Sequence, residues 1–334
     1  MKRAFIKAVS YYLPNQILTN EILVEEFPDW TVEKVANKIG VSQRHIASKN
    51  ETSTDLAIQA SEKLFQENNI SAKEIDFVLL CTQSPDYFIP TSACIIQNKL
   101  GIGTKSGAID INLGCSGFIY GLAIAKGLIV SNIAKNVLLI TAETYSKFIH
   151  PKDRVNRTIF GDAAAATLIS ETGFAEICNF SLGTDGSGAE KLIVKTGGMK
   201  YNKKTNKTSF DQAGNPISDD HLFMDGSSIF NFTLEMVPQL VKNTLFENEL
   251  VQDKIDHFIF HQANKYMLSF LKTKIQIPEN KFYQYLNLVG NTVSSTIPIA
   301  LFEAINDKTI SESNYVLLAG FGVGYSWGGT ILKF

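Results

Sequence analysis

One cysteine stands in a setting that favours nucleophilic chemistry. Cys115 lies between a glycine and a serine in the run INLGCSGF over residues 111–118, and a nearly all-apolar stretch of helix-forming length follows. The pattern predicts a turn that opens a buried helix, where backbone N–H groups and the helix dipole favour a thiolate. A free cysteine is also commonly a small buried apolar side chain. The cysteine alone leaves both interpretations open, a nucleophile and a core thiol.

Two later polar residues could act together with this cysteine. His261 opens the run HQAN after the apolar residues 258–260, and Asn291 lies in the run GNT at 290–292. Taken singly, a histidine at a strand end or an asparagine in a turn is more often structural. An imidazole N–H and an amide NH2 are, however, neutral donors. Such donors can stabilise an enolate without supplying the proton that would quench it.

The elements that would position these residues come from an internal repetition. Three pairs of segments share their order and their pattern of apolar and polar residues: 75–83 with 255–262, 112–115 with 288–291, and 136–142 with 314–320. Strand-like runs alternate with helical runs in both copies. This alternation predicts βαβ units and parallel or mixed sheets, which is an α/β fold.

The repetition also predicts how the polar residues meet. If a pseudo-two-fold axis relates the two copies, Cys115 and Asn291 lie at equivalent strand-to-helix turns. His261 then lies at the carboxyl end of a neighbouring strand, where ligands collect in α/β sheets. We expect an N-terminal half over residues 1–172 that contains the cysteine, and a C-terminal half over residues 173–334 that contains the other two residues.

Composition narrows the class of protein. The chain has 334 residues, 45% of them hydrophobic, and a formal net charge of −2, which argues against a nucleic-acid partner. Its four cysteines form no CxxC pair, so neither a disulfide framework nor a metal site is indicated. The N-terminus has no apolar signal core and no run reaches membrane-spanning length. We expect a cytoplasmic protein that has no membrane partner.

One segment interrupts the regular alternation. Residues 183–225 are rich in Gly, Asn, Ser and Lys. This composition predicts a long surface loop, and a loop of that length is either functional or simply solvated.

Several motifs together resemble one known family. The chain resembles the thiolase superfamily, and within it β-ketoacyl-acyl-carrier-protein synthase III. The resemblance covers nearly the whole chain and rests on motifs that occur in the family's order and spacing. These motifs are the cysteine turn, FGDAAAA at 160–166, MDG at 224–226, HQAN at 261–264, GNTVSSTIP at 290–298 and GFGVGYSWG at 320–328.

The resemblance implies a fold, an activity and a set of roles. The fold is the thiolase fold, a duplicated five-layered αβαβα arrangement that usually forms a homodimer. The activity is decarboxylative condensation of an acyl-CoA primer with malonyl-acyl-carrier protein, with both thioesters as substrates and no cofactor or metal. Cys115 matches the nucleophile, and His261 and Asn291 match the other two catalytic positions. Backbone N–H groups of Cys115 and Val323 would form an oxyanion hole for the tetrahedral intermediate.

Three further residues are expected to contact substrate on the same grounds. Arg154 matches a family arginine at the nucleotide end of CoA, and Trp30 lies where the family has a tryptophan against adenine. Ile89, before Pro90, matches a residue that crosses the dimer and closes the acyl pocket of the partner subunit. The alternative for Ile89 is simple packing in a dimer interface.

Two other functions stay open at this point. The chain could be an acyltransferase that passes the acyl group from Cys115 to an amine or a hydroxyl. It could also be a non-catalytic subunit that supports a partner synthase. The presence of a cysteine, a histidine and an asparagine together favours condensation over both.

Overall fold

Strands and helices alternate along the chain in the computed structural model, which describes residues 2–27 and 30–334. The strands are β1 (Phe5–Tyr12), β2 (Gln16–Thr19), β3 (Gln43–Ile46), β4 (Phe77–Cys81), β5 (Gly107–Ile111), β6 (Asn136–Glu143), β7 (Ala163–Ser170), β8 (Ala175–Thr184), β9 (Leu192–Ile193), β10 (Ser209–Phe210), β11 (Pro216–Ile217), β12 (Phe223–Met224), β13 (His257–Phe260), β14 (Phe282–Tyr283), β15 (Tyr315–Gly322) and β16 (Ser326–Lys333). The helices are α1 (Asn20–Glu26), α2 (Val32–Ile39), α3 (Ser53–Asn68), α4 (Ser92–Lys99), α5 (Gly117–Val130), α6 (Arg154–Ile159), α7 (Gly226–Glu247), α8 (Lys265–Ile275) and α9 (Thr296–Asn306).

The main sheet repeats one strand order in its two halves. Its order is β14-β13-β15-β16-β8-β1-β7-β6-β4-β5, so β1, β4, β5, β6 and β7 have β8, β13, β14, β15 and β16 as counterparts. The halves join where β1 pairs with β8, at Phe5 with Glu176 and at Ile6 with Ala175. The three segment pairs found in the sequence therefore lie at equivalent places. The division into domains at residues 172 and 173 stays a prediction.

Alternation of side chains along the strands produces the layers. On β4, Leu79 packs with α5 and α9, whereas its neighbour Leu80 packs with α3 on the other face. On β15, Leu318 packs with α5 and α9, and Leu317 packs with α7 and α8. Since successive strand residues point to opposite faces, helices cover each half of the sheet on both sides. The result is the five-layered αβαβα arrangement that the resemblance implies.

The segment expected to be a long loop has internal order. Within residues 183–225, β9 pairs with β12 and β10 pairs with β11. The buried carboxylate of Asp220 accepts hydrogen bonds from the backbone N–H groups of Thr205 and Asn206 and from the hydroxyl of Thr196. These contacts hold the parts of the segment together.

The described part of the chain contains no candidate membrane-spanning helix. No helix within residues 2–27 and 30–334 has both the length and the hydropathy of a membrane span.

Two glycines on α5 give a matched test of the central layer. A Cβ on Gly121 would lie 2.5 Å from Cδ1 of Leu139 on β6, whereas a Cβ on Gly127 would meet no atom within 4 Å. We expect Gly121→Ala to lower the free energy of unfolding by about 1–3 kcal/mol, because the core is overpacked. Gly127→Ala should raise it by up to about 1 kcal/mol through helix propensity. Urea unfolding of both variants measures this, and equal effects would contradict the packing described.

Candidate active site

Cys115 lies in the turn between β5 and α5, where small residues let several chain segments approach it. Helix α5 begins at Gly117, with Ser116 at its N-cap. On the other side, a Cβ on Gly322 of β15 would lie 2.7 Å from Cβ and 3.0 Å from Sγ of Cys115. The cysteine is buried and free of any disulfide. It therefore lies in a crowded turn that opens a buried helix, and the turn and the helix are those that the motif around it predicts.

The protonation of Cys115 differs from the expectation. Burial and, to a smaller extent, the neighbouring Glu143 carboxylate raise the pKa of the Cys115 thiol to about 12, although the backbone N–H of Cys115 itself lowers it. Desolvation thus outweighs the helix N-terminus. The prediction of a favoured thiolate is wrong for the protein without substrate, in which the group is a thiol.

His261 follows β13 directly and lies at the carboxyl end of that strand, as predicted. Burial lowers the pKa of its imidazole to about 3, partly offset by the carbonyl of Val293, so the ring is neutral near pH 7. Its Nδ1 lies 2.7 Å from Oγ1 of Thr296, the first residue of α9. The neighbours in the HQAN motif are structural. Gln262 accepts the N–H of Tyr285, and Asn264 caps α8 by accepting the N–H of Met267.

Asn291 is fixed by backbone contacts on both sides of its side chain. Its N–H donates to the Ile159 carbonyl over 2.9 Å, and its carbonyl accepts the Gly161 N–H over 3.0 Å. Its side-chain Oδ1 accepts the N–H of Val293 over 2.9 Å. The amide orientation follows from that bond, because Oδ1 must face the N–H. Nδ2 is consequently turned towards Nε2 of His261, 3.5 Å away.

One cavity brings the three predicted residues together. We call it the Cys115 cavity, a space of about 100 Å³ lined by Cys115, Ile159, Phe160, Leu192, Met224, Gly226, Ile229, Thr233, His261, Ala263, Asn264, Met267, Asn291, Phe321, Gly322 and Val323. The wall is mostly apolar, and the polar side chains of the cysteine, the histidine and the amide converge in it. A thiol beside two neutral donors suits acyl transfer to sulfur and stabilisation of a developing oxyanion.

The other predicted contacts lie outside the lining of this cavity. Arg154 begins α6, the helix that ends at Ile159 in the cavity wall, and its Nε donates to Oδ1 of Asn215 over 3.2 Å. Trp30 packs on the core beneath α7 and α8, with Lys34 over its ring. Ile89 is 86% exposed in the loop between β4 and α4. Their roles towards substrate stay predictions.

A buried acid behind the cysteine was missed in the sequence. Glu143 ends β6 and accepts hydrogen bonds from the N–H of Gln83 over 3.0 Å and from the hydroxyl of Ser294. Burial raises the pKa of Glu143 to about 8, so the carboxyl is mostly protonated at neutral pH. The sequence signal was a lone acid at the end of an apolar strand, which has no partner nearby in the chain.

The part of the chain that the structure describes contains no candidate metal site. Among residues 2–27 and 30–334, no group of three or more His, Cys, Asp or Glu side chains is arranged to hold a metal ion.

Comparison with known proteins identifies relatives over the whole chain. A family model described as 3-oxoacyl-[acyl-carrier-protein (ACP)] synthase III matches residues 109–186, and the model of its C-terminal part matches residues 245–334. A β-ketoacyl-[acyl-carrier-protein] synthase III of Clostridium perfringens is 35% identical over 100% of both chains.

Solved structures agree with the sequence comparison. A crystal structure of a 3-oxoacyl-(acyl-carrier-protein) synthase III has a TM-score of 0.96 and 45% identity, covering 99% of this chain and 100% of that one. A 3-oxoacyl-(acyl-carrier protein) synthase from Burkholderia xenovorans has a TM-score of 0.90 and 36% identity, with 99% and 94% coverage.

Removal of the buried acid should make the thiol more reactive. In Glu143→Gln the charge that raises the Cys115 pKa is absent, so we expect faster alkylation of Cys115 by iodoacetamide. The difference should grow above pH 8, where Glu143 of the wild type ionises. One unit of pKa changes the thiolate fraction about tenfold. Mass spectrometry of the Cys115 peptide measures the rate. The exposed Glu190→Gln serves as control, and equal rates in all three proteins would contradict this coupling.

Proposed function

The chain belongs to the 3-oxoacyl-[acyl-carrier-protein] synthase III family, and we propose that Cys115, His261 and Asn291 perform its reaction, the condensation of an acyl-CoA primer with malonyl-acyl-carrier protein. The observation that supports these roles most directly is the convergence of the three side chains on one apolar cavity. Each comes from a different part of the chain: Cys115 follows β5, His261 follows β13 and Asn291 precedes α9.

The first step is acylation of Cys115. Its sulfur attacks the thioester carbonyl of acyl-CoA, the new S–C bond forms, and the bond to the CoA sulfur breaks. The thiol proton of Cys115 ends on the departing CoA sulfur, so the exchange of one thioester for another is balanced. The tetrahedral intermediate carries an oxyanion, for which we propose the backbone N–H groups of Cys115 and Val323. Val323 lines the cavity beside the cysteine.

The second step forms the new carbon–carbon bond. Malonyl-acyl-carrier protein loses CO2, and negative charge develops on its thioester oxygen. Nε2 of His261 and Nδ2 of Asn291 lie 3.5 Å apart, so one oxygen in front of them can accept from both. The enolate carbon then attacks the acyl-Cys115 carbonyl, the C–S bond breaks, and the released sulfur takes up a proton from solvent. Loss of one such donor typically costs about 3–4 kcal/mol of transition-state stabilisation.

The apolar surroundings of Cys115 suit an acyl chain. Tyr145, Phe160, Leu222 and Val293 form a buried cluster with the cysteine. A chain bound there would lose contact with water, which favours binding by about 0.8 kcal/mol per buried methylene. At the other end of the substrate, we propose that Arg154 and Trp30 contact the nucleotide of CoA.

The partners and the location follow the same proposal. We propose that acyl-CoA and an acyl carrier protein are the substrates, that no further cofactor takes part, and that the enzyme works as a cytoplasmic homodimer. The loop that contains Phe88 and Ile89 exposes large apolar side chains on the single chain. Contiguous exposed apolar groups of this kind are typical of an interface.

Transfer of the acyl group to an amine or a hydroxyl is the competing function. It would require Cys115 but no pair of donors for an enolate. Release of CO2 from malonyl-acyl-carrier protein distinguishes the two, because only condensation produces it.

Substitutions should separate the two steps. We expect Cys115→Ser to abolish acylation, because a hydroxyl has no accessible anion in this setting. His261→Ala and Asn291→Ala should still form the acyl-enzyme, while CO2 release from malonyl-acyl-carrier protein falls about 100- to 1000-fold. Intact-protein mass spectrometry follows the first step, and labelled CO2 the second. The assignment of roles would fail if either alanine variant, correctly folded, lost acylation as completely as Cys115→Ser.

Ile89 should influence the choice of primer from across a dimer. A phenyl ring fills more of a pocket than an isoleucine, so Ile89→Phe should shift the acyl-CoA profile towards acetyl, with the dimer intact. Discrimination of about 1–3 kcal/mol per methylene makes the shift graded. The matched control is Ile133→Phe, since Ile133 is also an exposed isoleucine. An unchanged profile, or a monomeric Ile89→Phe, would remove Ile89 from the substrate site.

A further inference from the structure

The hydroxyl of Thr296 contacts His261 on the ring edge opposite to Asn291. Its Oγ1 lies 2.7 Å from Nδ1 of the imidazole and 3.1 Å from the carbonyl oxygen of Val293. Thr296 and His261 are both buried. One hydroxyl with a single proton therefore lies between two groups that can accept it.

Two arrangements of protons satisfy this contact. In the first, the Thr296 hydroxyl donates to Nδ1 of His261, and the ring carries its proton on Nε2. In the second, the hydroxyl donates to the Val293 carbonyl and accepts from Nδ1–H, and Nε2 has only a lone pair. The bond made by one ring nitrogen determines which tautomer a neutral imidazole adopts. Because burial keeps His261 neutral, the ring has one proton to place.

The geometry on the cavity side favours the first arrangement. The Asn291 amide is oriented by Val293, so its Nδ2 is a donor that faces Nε2. The two nitrogens are 3.5 Å apart, beyond the range of about 2.7–3.2 Å for a good hydrogen bond from nitrogen. This separation suits two donors side by side. In the second arrangement the amide N–H would donate to Nε2, and the nitrogens would be expected to lie closer.

We propose that Thr296 is a positioning residue that donates its hydroxyl proton to Nδ1 of His261 and so holds the Nε2–H tautomer needed to bind the enolate oxygen. This inference rests on the proposed function of His261. It assigns to the start of α9 a role in decarboxylation and none in acylation. Thr296 itself does not line the Cys115 cavity, so its effect passes through the ring.

The test compares Thr296→Val with Thr296→Ser. Valine keeps the shape of threonine and removes the hydroxyl, which leaves the Val293 carbonyl as the acceptor for Nδ1–H. We expect CO2 release from malonyl-acyl-carrier protein to fall about tenfold or more in Thr296→Val. The amount and rate of Cys115 acylation should stay at the wild-type level. Thr296→Ser, which restores the hydroxyl, should retain both steps.

A spectroscopic readout distinguishes the tautomer from a general disturbance. Nitrogen NMR of protein labelled with 15N-histidine separates a protonated from an unprotonated ring nitrogen, and subtraction of the His261→Ala spectrum assigns the His261 signals. We expect the proton on Nε2 in the wild type and in Thr296→Ser, and on Nδ1 in Thr296→Val. If the valine variant does not fold, Thr296→Ala removes the same hydroxyl and provides the same comparison.

The outcomes separate this inference from the proposed function. If His261→Ala releases CO2 at the wild-type rate, the role of His261 as a donor fails. A second outcome is that His261→Ala loses CO2 release, whereas a folded Thr296 variant without the hydroxyl retains both CO2 release and the proton on Nε2. That outcome overturns only the inference about Thr296. An Nδ1–H signal in the wild type would overturn it as well.

Discussion

The backbone of Val293 lies next to the contacts of both polar side chains that face Cys115. Its N–H fixes the Asn291 amide, and its carbonyl oxygen lies 3.1 Å from Oγ1 of Thr296, which contacts His261. The residue has φ of 56°, a left-handed conformation that a β-branched side chain rarely adopts. Such a conformation costs about 1–3 kcal/mol, so the surrounding packing must enforce it. The site therefore depends on one strained residue whose two backbone groups serve different partners.

Burial determines the charge of the site as strongly as it determines its shape. Near neutral pH the buried Cys115 is a thiol, His261 is a neutral imidazole and Glu143 is mostly a protonated acid. The resting cavity consequently contains little charge. The charge that develops on an enolate then meets preorganised dipoles in a medium of low polarity, where each hydrogen bond is worth more than it is in water.

The sequence predicted the elements and the convergence of the site well, because both follow from local patterns. The apolar run that contains Leu79 and Leu80 predicts a strand, and strand geometry then places one of these residues on each face of β4. The role of Thr296 was not visible, because it depends on where α9 lies against β13. The residue type at position 293 even predicted the wrong backbone conformation, because a β-branched residue such as Val293 rarely adopts a positive φ. The prediction of a thiolate at Cys115 was wrong for a related reason. Its desolvation comes from segments distant in the chain, and no local motif records them.

The central layer has a consequence for how this enzyme loses activity. Helix α5 begins just after Cys115 and α9 begins at Thr296, and the two helices share one hydrophobic core between the halves of the sheet. Cys115 precedes α5, whereas Asn291 precedes α9 and His261 contacts α9 through Thr296, so their relative positions depend on this shared core. Heat or denaturant that loosens this core should separate the reacting groups. Inactivation should therefore precede or coincide with the loss of secondary structure, and neither half of the sheet can preserve the reaction by itself.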